Sequence, residues 1–201
     1  MKAKLGTVLM LLGIAMLCGA LGLLLFNQQQ QNAAARSVDA VMPQLVAAIR
    51  EEKQLPEESQ PPQEVPLQER EMAVREIDGH DYIGFVGLPS LELELPVMAD
   101  WTYPQLKIAP CRFSGSIFAD DLVIMAHNYE RHFGRIRDLK PGDTVTFTDM
   151  EGQTTSYEVV VLDILHPTAV EDMTAGEYDL TLFTCTYGGK SRVTVRCDRT
   201  E

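Results

Sequence analysis

The chain begins with an unbroken apolar stretch. No charged side chain occurs from Leu5 to Phe26. Because a helix rises about 1.5 Å per residue, these 22 residues are long enough to cross a hydrocarbon core of about 30 Å. The pattern predicts a transmembrane helix. The alternative, a secretory signal cleaved near Ala35, fits less well because such signals have an apolar core of only about 7 to 15 residues.

The charges that flank this stretch predict its orientation. Lys2 and Lys4 come before it, whereas uncharged Asn and Gln residues follow it at positions 27–31. Since positive residues are retained on the cytoplasmic side, we expect a cytoplasmic N-terminus. The rest of the chain would then lie outside the cell membrane, which the chain crosses once.

Residues 27–75 have the composition of a stalk. Apolar side chains recur at helical spacing in the first half and predict a short amphipathic helix near residues 37–53, capped by Ser37. Pro43 would occupy the first turn of that helix or kink it. From Pro56 to Pro66 the sequence is rich in Pro, Glu and Gln, which is typical of an extended spacer.

From residue 76 to residue 201 the pattern is that of a β domain. Short apolar or alternating runs are separated by Gly, Pro and Asp. They predict seven strands: Tyr82–Val86, Leu93–Val97, Leu122–Ala126, Thr144–Thr148, Ser156–Leu165, Leu180–Cys185 and Arg192–Cys197. So many short strands in one domain are typical of a closed barrel or a sandwich.

Composition and charge then narrow the class of protein. The 201 residues are 45% hydrophobic and carry a net charge of −12, which excludes a disordered chain and disfavours a nucleic-acid-binding protein. The four cysteines lack the spacing of a zinc site. Cys18 lies in the apolar stretch, and Cys111 and Cys197 would form a disulfide only if their Cα atoms lay within about 7 Å.

Three residues at the ends of predicted strands could carry chemistry. Cys185 ends one apolar strand, and His127 follows another. A nucleophilic cysteine needs a base or a cation beside it, which His127 could supply. Taken singly, each residue type is as compatible with a structural role, and the other three histidines are interpreted as structural.

An arginine at the start of the last strand could complete the group. A hairpin through Gly188 and Gly189 would bring Arg192 beside Cys185, where its fork of donors suits a tetrahedral oxyanion. Arg196 points to the same face of the strand but lies about 13 Å further along. Arg192 is therefore the better candidate.

At these residues the chain resembles the sortases, membrane-anchored cysteine transpeptidases of Gram-positive bacteria. The family pattern Thr-Leu-x-Thr-Cys is matched by Thr181–Cys185, the strand-ending histidine by His127, and the arginine after the cysteine by Arg192. The likeness covers about residues 82–199. Ala126 departs from the pattern, since many members have glycine before the histidine.

The resemblance implies a mainly β fold: a closed eight-stranded sortase-type β-barrel with short helices, behind the transmembrane helix and stalk. It implies cleavage of a Leu-Pro-x-Thr-Gly-like sorting signal between Thr and Gly. Cys185 would be the nucleophile, His127 the acid and base, and Arg192 the oxyanion donor. An amine of a cell-wall precursor or of a pilin lysine would accept the acyl group.

The resemblance also bears on the substrate contacts, on metals and on the class. Thr184, which precedes the cysteine, would contact the substrate. So would Ala126 and Asn128, which lie on either side of the histidine in the sequence. The chemistry needs no cofactor and no metal, although Glu171 and Asp172 lie where some members bind calcium. The cysteine motif is similar to that of class B, but the segment His166–Tyr178 is shorter than the insertion of class B members. Whether the chain is class B-like or class D-like therefore stays open.

Two other functions are compatible with the sequence. A sortase-like barrel without catalysis would be a membrane-tethered peptide-binding module, because a fold alone does not secure a function. A simple cysteine peptidase would pass the acyl group to water instead of an amine.

Overall fold

The N-terminal part of the protein is one long helix. The computed structural model describes residues 2–53 and 70–200, and the predicted Pro-rich spacer lies outside them. Helix α1 runs from Lys2 to Glu52 without interruption. Residues 37–52 are thus helical, but as the last part of a longer helix, so Ser37 lies inside α1, where its hydroxyl donates to the Ala33 carbonyl at 3.1 Å, and is not a cap. Gln and Ala, which favour helix, fill much of the connecting segment.

The two halves of α1 have opposite surroundings. The first half is long and apolar enough to cross a membrane, and its large side chains, such as Leu17 and Leu23, are exposed. In the second half one stripe is buried against the rest of the protein: Ala34, Val38, Val41, Leu45 and Ile49. This stripe follows the three- and four-residue spacing of a helix face that packs on a core.

Polar contacts reinforce the docking of this second half. Asp39 pairs with Arg131 at 2.7 Å, and Gln44 donates a hydrogen bond to Asp78 at 2.8 Å. Glu52 pairs with Arg75. Surface pairs of this kind add little free energy, so the buried stripe is what fixes the helix to the domain.

The domain itself consists of nine strands. They are β1 (Arg75–Ile77), β2 (His80–Leu88), β3 (Leu93–Met98), β4 (Cys111–Ser114), β5 (Leu122–Ala126), β6 (Thr144–Asp149), β7 (Thr154–Leu165), β8 (Leu180–Cys185) and β9 (Arg192–Arg199). Helix α2 (Tyr103–Leu106) lies between β3 and β4, and helix α3 (Val170–Met173) lies between β7 and β8. Short 3-10 turns occur at Pro89–Leu91, Ile136–Asp138 and Tyr187–Gly189.

Eight of these strands close into a barrel. The hydrogen-bonded order is β2-β3-β4-β5-β8-β9-β7-β6, and β6 pairs again with β2. Two neighbouring pairs, β3 with β4 and β5 with β8, are parallel, and the others are antiparallel. The short β1 pairs with the start of β2 outside this ring. The predicted closed eight-stranded barrel is confirmed.

The barrel interior holds the main apolar core. All seven predicted strands are present within a few residues of their predicted ends. Cys197 belongs to the interior cluster, whereas Cys111 belongs to a second cluster beneath α1. Both are free thiols, so the two cysteines do not form a disulfide. Burial raises the pKa of each thiol to about 12, which makes both unreactive.

Candidate active site

Strand register brings the three candidate residues to one edge of the barrel. β5 and β8 run parallel with Ala126 opposite Thr184, so the next residue of each chain segment, His127 and Cys185, lie side by side. β8 and β9 are antiparallel with Cys185 opposite Arg192. His127, Cys185 and Arg192, called the barrel edge below, therefore line one groove.

A tight hairpin sets the position of Arg192 beside Cys185. The backbone N–H of Thr186 donates to the Ser191 carbonyl at 2.9 Å, which closes the hairpin. Gly188 and Gly189 have φ angles of 79° and 71°, a conformation that glycine adopts without strain.

The same hairpin holds the Arg192 guanidinium. Its Nη1 donates to the carbonyls of Gly189 and Ser191 at 3.2 Å. Within the described part of the chain no hydrogen bond uses its Nε or Nη2. These two nitrogens are therefore available to an oxygen atom in the groove.

His127 is half-buried and lacks a partner at one nitrogen. Its Nε2 is buried with no hydrogen-bond partner among the described residues, and its ring lies 4.8 Å from that of Tyr129. Burial lowers the pKa of His127, and the positive charge of Lys107 lowers it further. The imidazole is thus mostly neutral at pH 7 and can accept a proton.

The loop after His127 is fixed by its own backbone. In residues 128–134, called the histidine loop below, the N–H of Phe133 donates to the His127 carbonyl at 3.2 Å, and the N–H of Gly134 donates to the Tyr129 carbonyl at 2.9 Å. A Cβ atom at Gly134 would lie 2.7 Å from the Asn128 and Tyr129 carbonyl oxygens. Only glycine fits this position without a backbone shift.

A second histidine supports this loop from the interior. His132 is fully buried, and its ring lies 5.5 Å from Tyr129, which in turn contacts His127. Burial lowers the pKa of His132 to about 4, and the charge of His127 acts in the same direction. A polar interaction with the backbone of Ile108 raises the pKa of His132 and so opposes part of this shift. It is weak, because neither ring nitrogen of His132 has a partner within hydrogen-bond geometry among the described residues. His132 is therefore a neutral part of the core, as predicted.

The groove beside the barrel edge is narrow and mostly apolar. Its volume is about 220 Å³, and beyond the barrel edge it is lined mainly by Trp101, Tyr103, Leu106, Phe113, Met125, Pro167, Val170, Met173 and Phe183. Phe113 lies between Trp101 and Phe183, at centroid distances of 5.9 Å and 5.3 Å. Such a surface suits an extended peptide with apolar side chains.

The predicted substrate contacts have different surroundings. Thr184 and Ala126 line the groove, but the Thr184 hydroxyl already donates to the Ala126 carbonyl at 2.8 Å and is buried. Asn128 is not among the described residues that line the groove. Glu171 and Asp172 are exposed in α3. The role of each in substrate binding stays a prediction.

Sequence reasoning missed the residues that come to the groove from elsewhere in the chain. Trp101 and Tyr103 reach it through α2, whose N-cap Thr102 accepts a hydrogen bond from the Gln105 N–H at 3.3 Å. Thr102 followed by Pro104 in the first turn of α2 is a signal for a helix start. No local signal indicates that this turn packs beside Cys185.

Comparison with known proteins identifies the family. A sequence model described as the sortase domain matches residues 86–200, which is more than half of the chain. The chain belongs to the sortase family. No curated protein sequence matches this sortase.

Solved sortase structures share the fold. Sortase C1 from Streptococcus suis is 29% identical, with a TM-score of 0.52 over 61% of this chain and 74% of that chain. Sortase C1 from Streptococcus agalactiae is 25% identical, with a TM-score of 0.55 over 63% and 71%. Sortase C from Clostridium perfringens SM101 is 22% identical, with a TM-score of 0.54 over 88% and 96%, and is similar in fold.

Proposed function

We propose that this sortase is a cysteine transpeptidase that cleaves a Leu-Pro-x-Thr-Gly-like sorting signal and transfers the acyl part to an amine. The observation that carries the proposal is the register of β5, β8 and β9. It brings a thiol, a neutral imidazole and a guanidinium to one apolar groove. These are the groups that acyl transfer needs: a nucleophile, a proton carrier and an oxyanion donor.

In the first half of the reaction the thiol of Cys185 attacks the threonine carbonyl carbon of the signal. His127 takes the thiol proton and gives it to the departing glycine nitrogen as the C–N bond breaks. Arg192 stabilises the oxyanion between these events through its free Nε and Nη2 donors. The product is a thioester on Cys185.

In the second half an amine attacks the thioester carbonyl. His127 removes a proton from the attacking nitrogen and returns it to the Cys185 sulfur as the C–S bond breaks. The amine belongs to a cell-wall precursor or to a pilin lysine. The apolar groove walls favour transfer to an amine over hydrolysis because they keep water away from the thioester.

Trapping the thioester tests this function. The full chain in detergent micelles is incubated with a Leu-Pro-x-Thr-Gly peptide and analysed by intact mass spectrometry, since the barrel is packed against α1. We expect a mass increase equal to the acyl fragment, and none in Cys185→Ala. Added triglycine should release the fragment as the transpeptidation product.

Other outcomes separate the rival functions. Peptide binding without a thioester, across several sorting peptides, would indicate the inactive binding module. A thioester that yields only the free acid in the presence of triglycine would indicate a peptidase.

The proposed location is the outer face of the cell membrane, with the N-terminus in the cytoplasm. The exposed apolar half of α1 and the lysines before it support this placement. The mature protein should fractionate with membranes at full length. A new N-terminus just after Ala35 would contradict the retained anchor.

A further inference from the structure

The loop between β7 and β8, residues 166–179, forms one wall of the groove. Pro167, Val170 and Met173 face the space beside Cys185. The loop contains only the single-turn helix α3, and the Ala169 N-cap makes no side-chain hydrogen bond. A helix of four residues is not stable alone, so contacts with the barrel must hold this wall in place.

Arg196 makes several of those contacts. Its side chain is buried, and its Nη2 donates to the Asp172 carbonyl at 2.5 Å while its Nη1 donates to the Met173 carbonyl at 3.2 Å. These carbonyls lie at the end of α3, where helical N–H partners run out. The guanidinium thus supplies the donors that the short helix lacks.

Other groups hold the same guanidinium from the barrel and from the loop. Nη1 also donates to the Thr181 hydroxyl of β8 at 3.1 Å. Nε lies 3.8 Å from an Asp163 carboxylate oxygen of β7, and the Tyr178 ring of the loop lies 5.3 Å from the guanidinium carbon. One side chain of β9 therefore joins β7, β8, the C-terminal end of α3 and the Tyr178 ring.

The position of Arg196 separates it from the reacting atoms. It lies four residues beyond Arg192 on β9, about 13 Å along the strand. Its register partner is Thr181, at the other end of β8 from Cys185. Arg196 thus contacts the wall of the groove and none of the barrel edge.

We propose that Arg196 is a positioning residue that holds the loop of residues 166–179 as the apolar wall of the groove and so sets the affinity for the peptide. The inference rests on the proposed function. It predicts a split effect: loss of Arg196 weakens peptide binding and leaves the reactivity of Cys185 unchanged.

The first test is kinetic and uses the full chain in detergent with a fluorogenic Leu-Pro-x-Thr-Gly peptide and triglycine. Arg196→Lys keeps the charge but loses the fork that spans two carbonyls. We expect the KM for the peptide to rise at least about fivefold, the equivalent of one hydrogen bond. The kcat and the rate of Cys185 alkylation by iodoacetamide should stay within about twofold.

Arg199→Lys is the matched control. Arg199 lies on the same strand and also donates from Nη2 to a backbone carbonyl, that of Ile117 at 2.7 Å, but its side-chain partners, Ile117 and Asp120, lie outside the loop of residues 166–179. This variant should keep the KM of the wild type.

Hydrogen exchange supplies a readout that does not depend on activity. The amides of Ala169, Met173 and Thr174 donate within the loop and should exchange at least about tenfold faster in Arg196→Lys, while β8 and β9 stay protected. If Arg196→Lys does not fold, Tyr178→Ala replaces it, because it removes the ring beside the guanidinium and leaves the buried charge in place.

The outcomes are distinguishable. A raised KM with faster loop exchange supports the role of Arg196. An unchanged KM with a protected loop overturns it, and so does a fall in kcat or in alkylation without a change in KM. If the wild type forms no thioester with any sorting peptide, the proposed function fails, and loop exchange alone then decides whether Arg196 holds the wall.

Discussion

The barrel edge and the two loops beside it are built in different ways. His127, Cys185 and Arg192 are positioned by strand pairing, one residue past β5, at the end of β8 and at the start of β9. The histidine loop is held by its own backbone and a buried ring. The loop of residues 166–179 is held largely by one arginine from β9.

The difference separates the chemistry from its environment. Strand pairing is rigid, so a substitution at the barrel edge removes a functional group and leaves the frame intact. Residues of the loops bury the functional groups and set the charge around them. A substitution in a loop therefore changes the proton affinity of a histidine, the stability of the fold or the binding of the peptide. Variants on the two sides should therefore fail in different measurements.

The largest effect is expected at the barrel edge itself. Cys185→Ala and His127→Ala should each abolish turnover, because one removes the nucleophile and the other the proton carrier. Both side chains lie at the rim of the barrel, so the melting temperature should stay within a few degrees of that of the wild type. Near-normal transpeptidation by either variant would show that the roles are assigned wrongly.

A smaller loss is expected from Arg192→Lys. Lysine keeps the charge but not the planar fork, and loss of one oxyanion donor costs about 10²- to 10³-fold in rate. Rapid-quench measurement should locate this loss in the acylation step, because the oxyanion exists only in the transition state and the intermediate. Arg196→Lys should leave that step nearly unchanged. The reverse ranking would mean that Arg196 is the oxyanion donor.

The barrel edge could be predicted from sequence because the position of each of its residues follows from a strand next to it in the chain. Each of its residues adjoins an apolar strand whose pattern is clear, and the ends of β5 and β8 are as predicted. The four-residue β4 and three-residue β1 were missed because neither has enough alternation to be recognised. Segments this short are strands only because a neighbour pairs with them.

The loops could not be predicted because their positions depend on contacts between residues that are far apart in the sequence. Arg196 and Met173 are 23 residues apart in the chain, and nothing in either segment indicates the other. Burial of His132 likewise depends on the packing of Phe133 and Ile136 inside the barrel. A lone histidine in sequence carries no signal of its pKa.

The histidine loop should make stability depend on pH through His132. The pKa of this residue is about 4 in the folded protein and about 6.5 when unfolded. Above pH 6.5 both states are neutral and His132 contributes nothing. As the pH falls towards 4 the unfolded state binds the proton first, so stability is lost, by about 3 kcal/mol in total.

Urea unfolding of the wild type and of His132→Phe at pH 7 and at pH 4 measures this loss. Because carboxylates titrate in both proteins, the difference between the two is the relevant quantity. It should shift in favour of the variant by about 3 kcal/mol on acidification. A pH-independent difference would mean that His132 has the same pKa in the folded and the unfolded protein, as a solvated side chain would.

The smallest effect is expected on the proton affinity of His127. Burial is the main cause of its lowered pKa and the Lys107 charge is the second, so Lys107→Gln should raise the pKa only slightly, and burial should keep it below the ordinary value for histidine. The Hε1 signal of His127, titrated by NMR at low salt, measures the change, and Lys140→Gln is the control. A wild-type His127 that titrates above pH 7 would contradict the proposed first step, because that step requires a mostly neutral imidazole to take the proton of Cys185. An unchanged titration in Lys107→Gln would instead assign the whole shift to burial in the groove, and the proton-carrying role would stand without help from the neighbouring charge.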